Sequence, residues 1–337
     1  MQNAQCKMFN AKCPNRILHG SSRTLHVALL ATLIAAIPLT AQAGEQLAIT
    51  PDVVYGHKAG MALTFDVIHP KKPNGAGILV MMSGGWFSMW VPPVAFIDPK
   101  APGYDFLKHF AEPAQHGYTV FIVRHGSAPQ FKVPEAVADV RRAVRFIRLN
   151  ATKFNIDPNR IGVCGGSAGG HLSLVLGTEG DDGDKNAQDP VDRTSDRVQA
   201  VVAYFPPVDM REWVGKMTDR FPALAFDPKL AESISPLLHV SPDDPPTLLI
   251  HGDKDTLVKL DNSQRMMAAL KKANVPCDLI VMKGAGHGFG GQQAEDAAQS
   301  LIAWFDKYLK PPARSGIKSE PKKSRGNADT GSSLGWP

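Results

Sequence analysis

The segment RIGVCGGSAGGHLSLVL, residues 160–176, joins two apolar stretches through a turn that is rich in glycine. Ser167 lies at the centre of this turn. Glycines let a backbone pass sharply from a strand into a helix, and a serine on such a turn is held clear of the sheet. The segment therefore predicts a strand, a turn and a helix, with Ser167 as a candidate nucleophile. The N–H of Ala168, at the start of this helix, is a candidate donor to an oxyanion.

Two later segments supply the other groups that a serine nucleophile needs. The apolar stretch 247–251 ends in an acidic turn that contains Asp255, and the apolar stretch 278–282 ends in a glycine-rich loop around His287. A histidine can accept the serine proton, and a carboxylate can orient the imidazole and stabilise its charged form. His287 is therefore the candidate base, and Asp255 is the candidate acid that orients it.

Each of these two assignments has an alternative in the sequence. Asp253 lies in the same acidic turn as Asp255 and competes with it for the orienting role. His171 follows Ser167 by one helical turn and is an alternative base. A side chain on the same helix cannot easily reach around to the serine hydroxyl, so His287 is preferred.

The loop after an early apolar strand predicts a second source of oxyanion donors. Residues 77–86 read GILVMMSGGW, an apolar run that ends in small residues. Small side chains let backbone N–H groups come within about 2.7–3.1 Å of a substrate oxygen. Gly84 is the first candidate donor, with Ser83 and Gly85 as its neighbours.

Substrate contacts are predicted in two apolar segments. Trp86, Phe87 and Trp90 directly follow the candidate oxyanion donors and are candidates to line an acyl or aryl pocket, since such pockets are mostly apolar. The second segment, 206–238, is predicted to be an insertion between strands that forms a small cap. Its large apolar residues include Trp213, Met217, Phe221 and Phe226.

Apolar stretches that alternate with helical patterns predict the fold class. The predicted buried strands are 78–82, 119–123, 161–164, 198–205, 247–251 and 278–282. Helical spacing is clearest at Val137, Val140, Val144 and Ile147, and again between Leu301 and Leu309. This alternation predicts an α/β fold with a mostly parallel central sheet and helices on both faces.

These motifs resemble those of the α/β-hydrolase superfamily, in particular its esterase and lipase branch with hormone-sensitive-lipase-like, acetyl-xylan and feruloyl esterases. The resemblance spans roughly residues 50–310 and is carried by segments 83–86, 138–148, 157–161, 165–171, 251–255 and 286–289. One segment departs from the family pattern. The family usually carries His-Gly-Gly-Gly at the oxyanion loop, and Met82 and Ser83 stand here in place of the His and the first Gly.

The resemblance implies a serine carboxylic ester hydrolase that forms an acyl-enzyme on Ser167, with His287 as base. The spacing in family members favours Asp255 over Asp253 as the acid. An exported member is expected to act on small-molecule or carbohydrate-linked esters, such as acetyl or feruloyl esters, and to need no cofactor and no metal.

Two other functions remain open at this point. The segment Ile234-Ser235-Pro236-Leu237, before the acid loop, resembles the prolyl-oligopeptidase catalytic domain and suggests a serine peptidase. The altered oxyanion loop suggests instead a catalytically silent binding protein with a hydrolase fold.

The two ends of the chain differ in composition from its centre. Residues 1–43 carry four basic residues and no acidic one, followed by the apolar run Val27 to Leu39 and by Ala41-Gln42-Ala43. This pattern predicts a signal peptide cleaved near Ala43 and an exported protein, and a run of 13 residues is too short for a stable membrane anchor. Residues 44–310 are predicted to form the catalytic domain, and residues 311–337 a disordered tail.

Charge and cysteine content exclude other classes of protein. The net charge of +5 falls to about +1 without residues 1–43, and residues 44–310 are nearly balanced, which indicates no nucleic-acid partner. Asp181-Asp182-Gly183-Asp184 resembles part of a calcium loop but lacks the downstream glutamate, so it predicts no metal site. Cys164 is expected to be a small core residue, and a disulfide to Cys277 is not implied. The oligomeric state is not predicted.

Overall fold

The computed structural model describes residues 47–310. The predicted signal peptide, residues 1–43, and the predicted tail, residues 311–337, lie outside this range. Within it, no helix combines the length and the apolar character needed to cross a membrane.

Eight strands form one sheet, and most of them are parallel. Six follow the apolar stretches predicted from the sequence, while β1 and β2 form an additional hairpin at one edge. The strands are β1 (Ala48–Lys58), β2 (Met61–His69), β3 (Gly77–Met81), β4 (Thr119–Val123), β5 (Ile161–Gly166), β6 (Ala200–Tyr204), β7 (Thr247–Gly252) and β8 (Cys277–Met282). Their order is β1-β2-β4-β3-β5-β6-β7-β8, and strands β3 to β8 run parallel to one another.

Five α-helices cover both faces of the sheet. They are α1 (Tyr104–Gln115), α2 (Val133–Leu149), α3 (Ala168–Thr178), α4 (Asp261–Lys272) and α5 (Gln292–Leu309). Helices α2, α3 and α4 share one hydrophobic core, and α1 and α5 share the other. Along β3, Leu79 packs into the first core, while Ile78 and Val80 pack into the second. This alternation follows from the two-residue period of a strand, and it confirms the predicted α/β class.

The segment between β6 and β7 contains the insertion that the sequence predicted as a cap. Residues 206–238 form short 3₁₀ turns without a regular α-helix or strand. Trp213 is buried, and Met217 and Phe226 pack against the core beside α2, α3 and α4. Only Phe221 of the four large apolar residues lines the cavity described below.

Arginines on the outer side of α2 hold the acidic segment 181–196. Arg141 and Arg145 both bind the carboxylate of Asp196, which is fully buried, at 3.0 Å. Arg145 also binds Asp181 at 2.6 Å. In the part of this segment that resembles a calcium loop, Asp181 is therefore paired with guanidinium groups, and Asp182 is paired with Arg197.

Candidate active site

Ser167 lies at the tip of the turn between β5 and α3. Its backbone has φ 56° and ψ −118°, a conformation that L residues rarely adopt and that costs of order 1–3 kcal/mol. The glycines around it allow close backbone contacts. A Cβ at Gly165 would lie 2.6 Å from the carbonyl of Gly169, and a Cβ at Gly169 would lie 2.5 Å from the carbonyl oxygen of Met81. The spacing of glycines in the sequence is thus a packing requirement.

The structure brings Ser167, His287 and Asp255 into one line of hydrogen bonds. Nδ1 of His287 lies 2.7 Å from Oδ2 of Asp255, and Nε2 of His287 lies 2.9 Å from Oγ of Ser167. A carboxylate only accepts hydrogen bonds, so Nδ1 carries the hydrogen and Nε2 presents its lone pair to the serine hydroxyl. This is the arrangement in which an imidazole can remove the serine proton.

The carboxylate of Asp255 is buried and held on both oxygens. Its Oδ1 accepts hydrogen bonds from the N–H groups of Leu257 and Val258, at 2.9 and 3.0 Å. Its Oδ2 faces His287 and, at 3.4 Å, the imidazole of His251. Asp253, the alternative acid, instead accepts a hydrogen bond from the N–H of Gly284. The geometry therefore places Asp255, and not Asp253, beside the histidine.

His171, the alternative base, lies in the core behind the turn. Its Nε2 donates to the carbonyl of Ile234 at 2.8 Å, and its Nδ1 accepts from the indole N–H of Trp86 at 3.3 Å. Complete burial lowers the pKa of His171 to about 4. Both ring nitrogens are occupied away from Ser167, so this imidazole is not placed to act on the hydroxyl.

The oxyanion loop, residues 82–86, follows β3 and lies beside Ser167. The N–H of Gly84, the first candidate donor, binds the carbonyl of Phe87 at 3.0 Å and is therefore already occupied. The N–H groups of Gly85 and Ala168 have no partner among residues 47–310. The first N–H groups of a helix lack intrahelical acceptors, which explains why Ala168 is free. The N–H of Ser83, the remaining candidate, likewise has no partner among these residues. The N–H groups of Ser83, Gly85 and Ala168 are therefore all available as donors.

Ser83 makes one hydrogen bond through its backbone carbonyl and one through its side chain. Its carbonyl accepts the N–H of Gly169 at 3.1 Å, and its hydroxyl lies 2.8 Å from Nε2 of His125. His125 follows β4 and is buried. No sequence motif connects this histidine to the site, because the contact joins positions 42 residues apart.

An apolar cavity of about 480 Å³ opens beside Ser167 and His287. It extends from the oxyanion loop to the space between α1 and α5, where small residues of α5 leave room. Its walls include Phe87, Met89, Phe205, Phe221, Ala298 and Leu301. The ring of Phe205 lies 4.6 Å from the imidazole of His287, centre to centre. Neither Phe205 nor Ala298 was predicted from the sequence, since both belong to patterns that are equally typical of a core.

Two of the three predicted pocket aromatics do not line this cavity. Trp86 is 2% exposed, and its indole packs against His171 and Phe221. Trp90 is 58% exposed and points its indole N–H at Asp52, at 3.2 Å. The prediction was wrong for both because apolar composition does not tell which way a loop residue faces. Phe87 does line the cavity.

Among the described residues, one group of side chains has the spacing of metal ligands. Ligand atoms of His109, Glu112 and Glu295 lie within 4.8 Å of one another, between α1 and α5. The ammonium of Lys108 already binds Glu295 at 3.2 Å, which opposes the binding of a cation there. Cys164 and Cys277 are both free thiols, and burial raises the pKa of Cys164 to about 12.

The sheet order, the strand-to-helix turn and the placement of the acid and histidine after β7 and β8 define an α/β-hydrolase fold with a serine site. Within that superfamily, the chain belongs to the BD-FAE family, whose model matches residues 66–270.

Two esterases are similar in sequence to about two thirds of this chain. Esterase LipC of Mycobacterium tuberculosis is 29% identical over 231 residues, which are 65% of this chain and 54% of that protein. An acetylxylan esterase of Xylanibacter ruminicola is 28% identical over 233 residues, 66% of this chain and 42% of that protein. The chain thus spans about half the length of these relatives.

Solved structures are similar over more of their length. An acetyl ester-xyloside bifunctional hydrolase from Caldicellulosiruptor lactoaceticus superposes with a TM-score of 0.62 and 26% identity, covering 76% of this chain and 95% of that one. Esterase 2 of Thermogutta terrifontis with bound propionate has a TM-score of 0.62 and 25% identity, covering 79% and 97%.

Proposed function

We propose that this protein is a serine carboxylic ester hydrolase that works through an acyl-enzyme on Ser167. The observation that carries the proposal is the line of hydrogen bonds from Ser167 through His287 to Asp255 at the mouth of an apolar cavity. Esterases among the relatives and solved structures support the same reaction.

In the acylation step, Oγ of Ser167 attacks the ester carbonyl carbon while Nε2 of His287 accepts its proton. Asp255 stabilises the imidazolium that forms. The carbonyl oxygen becomes an oxyanion, which the N–H groups of Ala168 and Gly85 are free to bind. His287 then gives the proton to the departing alcohol, and the acyl group remains on Ser167.

In the deacylation step, water attacks the acyl carbonyl carbon and His287 accepts a proton from the water. The same two N–H groups bind the second oxyanion. Collapse of this intermediate releases the carboxylic acid, and the proton returns from His287 to Oγ of Ser167. The site is thereby restored without any other reactant.

The substrate proposed is a short-chain or carbohydrate-linked ester, such as an acetyl or feruloyl ester. Its support is the names of a relative and of a solved structure, an acetylxylan esterase and an acetyl ester-xyloside hydrolase. The mostly apolar walls of the cavity fit an acyl or aryl group. Export through the leader predicted at residues 1–43 would bring such an enzyme to polysaccharides outside the cell.

Hydrolysis of p-nitrophenyl esters of graded acyl length by the full chain tests the proposal, with Ser167→Ala as control. We expect turnover by the wild type and its loss in Ser167→Ala. A fluorophosphonate probe should label the wild type alone. A folded wild type that is neither labelled nor active would indicate the silent binding protein, and turnover confined to peptidyl substrates would indicate the peptidase.

A further inference from the structure

We infer that His125 is a positioning residue that holds the oxyanion loop in its working geometry through the hydroxyl of Ser83. The inference rests on the proposed function, because it concerns the donors that stabilise the oxyanion. It assigns a role to the position at which the chain departs from the glycine expected in its family.

Ser83 connects the oxyanion loop to two other elements. Its carbonyl accepts the N–H of Gly169 on α3, the helix that begins next to Ser167. Its hydroxyl binds Nε2 of His125, directly beyond the end of β4. The loop is therefore fixed relative to the nucleophile on one side and to the sheet on the other. Gly85, two residues further on, carries an N–H group that is free to bind an oxyanion.

The imidazole of His125 is set to accept the hydrogen bond from Ser83. Its Nδ1 lies 2.8 Å from the carbonyl oxygen of Gly126, which can only accept, so Nδ1 carries the hydrogen. The lone pair of Nε2 then accepts the hydroxyl hydrogen of Ser83. Ser83 lines the cavity. The bond to His125 therefore determines where the hydrogen of this cavity-lining hydroxyl points.

The surroundings keep this imidazole from moving. The N–H of Gly126 donates to Asp139 on α2 at 2.8 Å, and Asp139 binds the ammonium of Lys58 at 2.6 Å. The hydroxyl of Ser88 accepts the N–H of His125 and donates to the carbonyl of Met82, so it joins the two segments a second time. A rigid acceptor of this kind can fix a loop to within the tolerance that oxyanion donors need.

The test compares Ser83→Ala, His125→Asn and His125→Gln with the wild type in p-nitrophenyl acetate hydrolysis. The amide of Asn lies near the position of Nδ1 of His125 and leaves no acceptor at the position of Nε2. The longer Gln places its amide oxygen near the position of Nε2, where it can accept the hydrogen bond from Ser83. We expect Ser83→Ala and His125→Asn each to lower kcat about 10-fold with little change in KM, because misplaced donors weaken transition-state stabilisation. His125→Gln should recover most of that loss.

Two comparisons separate positioning from a general loss of structure. The double variant Ser83→Ala/His125→Asn should be no slower than the slower single variant, because both changes remove one interaction. Thr50→Ala is the matched control, since it removes another serine- or threonine-to-histidine hydrogen bond, to His69 at 2.8 Å, far from the site in the β1–β2 hairpin. It should leave kcat unchanged.

The outcomes distinguish this inference from the proposed function. Wild-type turnover with unchanged kcat in Ser83→Ala and His125→Asn would overturn the positioning role alone. Equal losses in His125→Asn and His125→Gln, or additive losses in the double variant, would also overturn it. A wild type without turnover would overturn the proposed function, and the inference would fall with it. Ring nitrogen NMR shifts offer a readout without turnover: we expect the Nδ1–H tautomer, and the opposite tautomer would contradict the geometry.

Discussion

The indole N–H of Trp86 donates a hydrogen bond to Nδ1 of His171 across 3.3 Å, in the core behind the nucleophile turn. The bond joins the end of the oxyanion loop to the helix that begins next to Ser167. His171 in turn donates to the carbonyl of Ile234 in the segment between β6 and β7. Three parts of the chain that surround the cavity are thus held together by one neutral imidazole.

Replacing Trp86 by Phe should destabilise the fold because it leaves Nδ1 of His171 buried without a donor. The expected loss in the free energy of unfolding is about 1–3 kcal/mol, measured by urea denaturation. Trp90→Phe removes a similar indole hydrogen bond at an exposed position and should change the same free energy by less than about 0.5 kcal/mol. Equal effects of the two substitutions would contradict this reading of Trp86.

The free energy of unfolding should decrease at acidic pH because His171 is buried in its neutral form and becomes protonated when the chain unfolds. Its pKa is about 4 in the fold against 6.5 in an unfolded chain, so the unfolded state binds more protons between these values. The contribution of neutral His171 to the free energy of unfolding is fully present above about pH 6.5. It declines by up to about 3 kcal/mol as the pH falls towards 4. Urea denaturation between pH 4.5 and 7.5 measures the slope.

His171→Gln, which cannot be protonated, should be less stable at neutral pH but less sensitive to acid. Burial also lowers the pKa of His125 and of His251, so a smaller slope should remain in this variant. The same slope in the variant and the wild type would show that His171 does not carry the effect.

Asp196 is expected to be critical for stability, since it is the buried carboxylate between Arg141 and Arg145. Asp196→Asn removes the charge that both guanidinium groups face and should cost about 3 kcal/mol or more, measured as the midpoint shift in urea. Asp182→Asn breaks an exposed ion pair to Arg197 and should cost less than about 1 kcal/mol. If Asp196→Asn proved as mild as Asp182→Asn, the buried network would not be stabilising.

The length of acyl group that fits should depend on Ala298, which lines the cavity from α5. Ala298→Leu should fill part of the cavity and lower kcat/KM for p-nitrophenyl octanoate about 10-fold or more relative to the acetate ester. Ala303 lies on the exposed side of the same helix, so Ala303→Leu is the matched control. An unchanged ratio of the two esters in Ala298→Leu would mean that acyl groups bind elsewhere.

The sequence predicted the parts of this molecule that depend on local pattern. Strands β3 to β8 have apolar runs, and the candidate nucleophile, acid and base follow three of them in glycine-rich or acidic turns. The hairpin of β1 and β2 was missed because much of β1 is exposed and carries no apolar run. Parallel strands bring their carboxyl ends to one edge, so the three candidate residues could be expected to meet there.

What the sequence could not show are contacts between distant segments. Neither the bond from Ser83 to His125 nor the one from Trp86 to His171 has a local signature, because each depends on how two loops pack. The same limit explains why Gly84 was the first candidate donor although its N–H is occupied. This N–H donates to the carbonyl of Phe87 within the loop, which the sequence does not show. Which face a side chain presents in an irregular loop is decided by such packing.

The cavity and the arginine network involve helices on opposite faces of the sheet. Among the described residues, α1 and α5 are the α-helices that line the cavity, whereas the arginine network lies on α2, on the other face of the sheet. Substitutions in α1 and α5 can therefore reshape the cavity without removing an ion pair of the arginine network, so the choice of substrate and the stability of the fold can change independently.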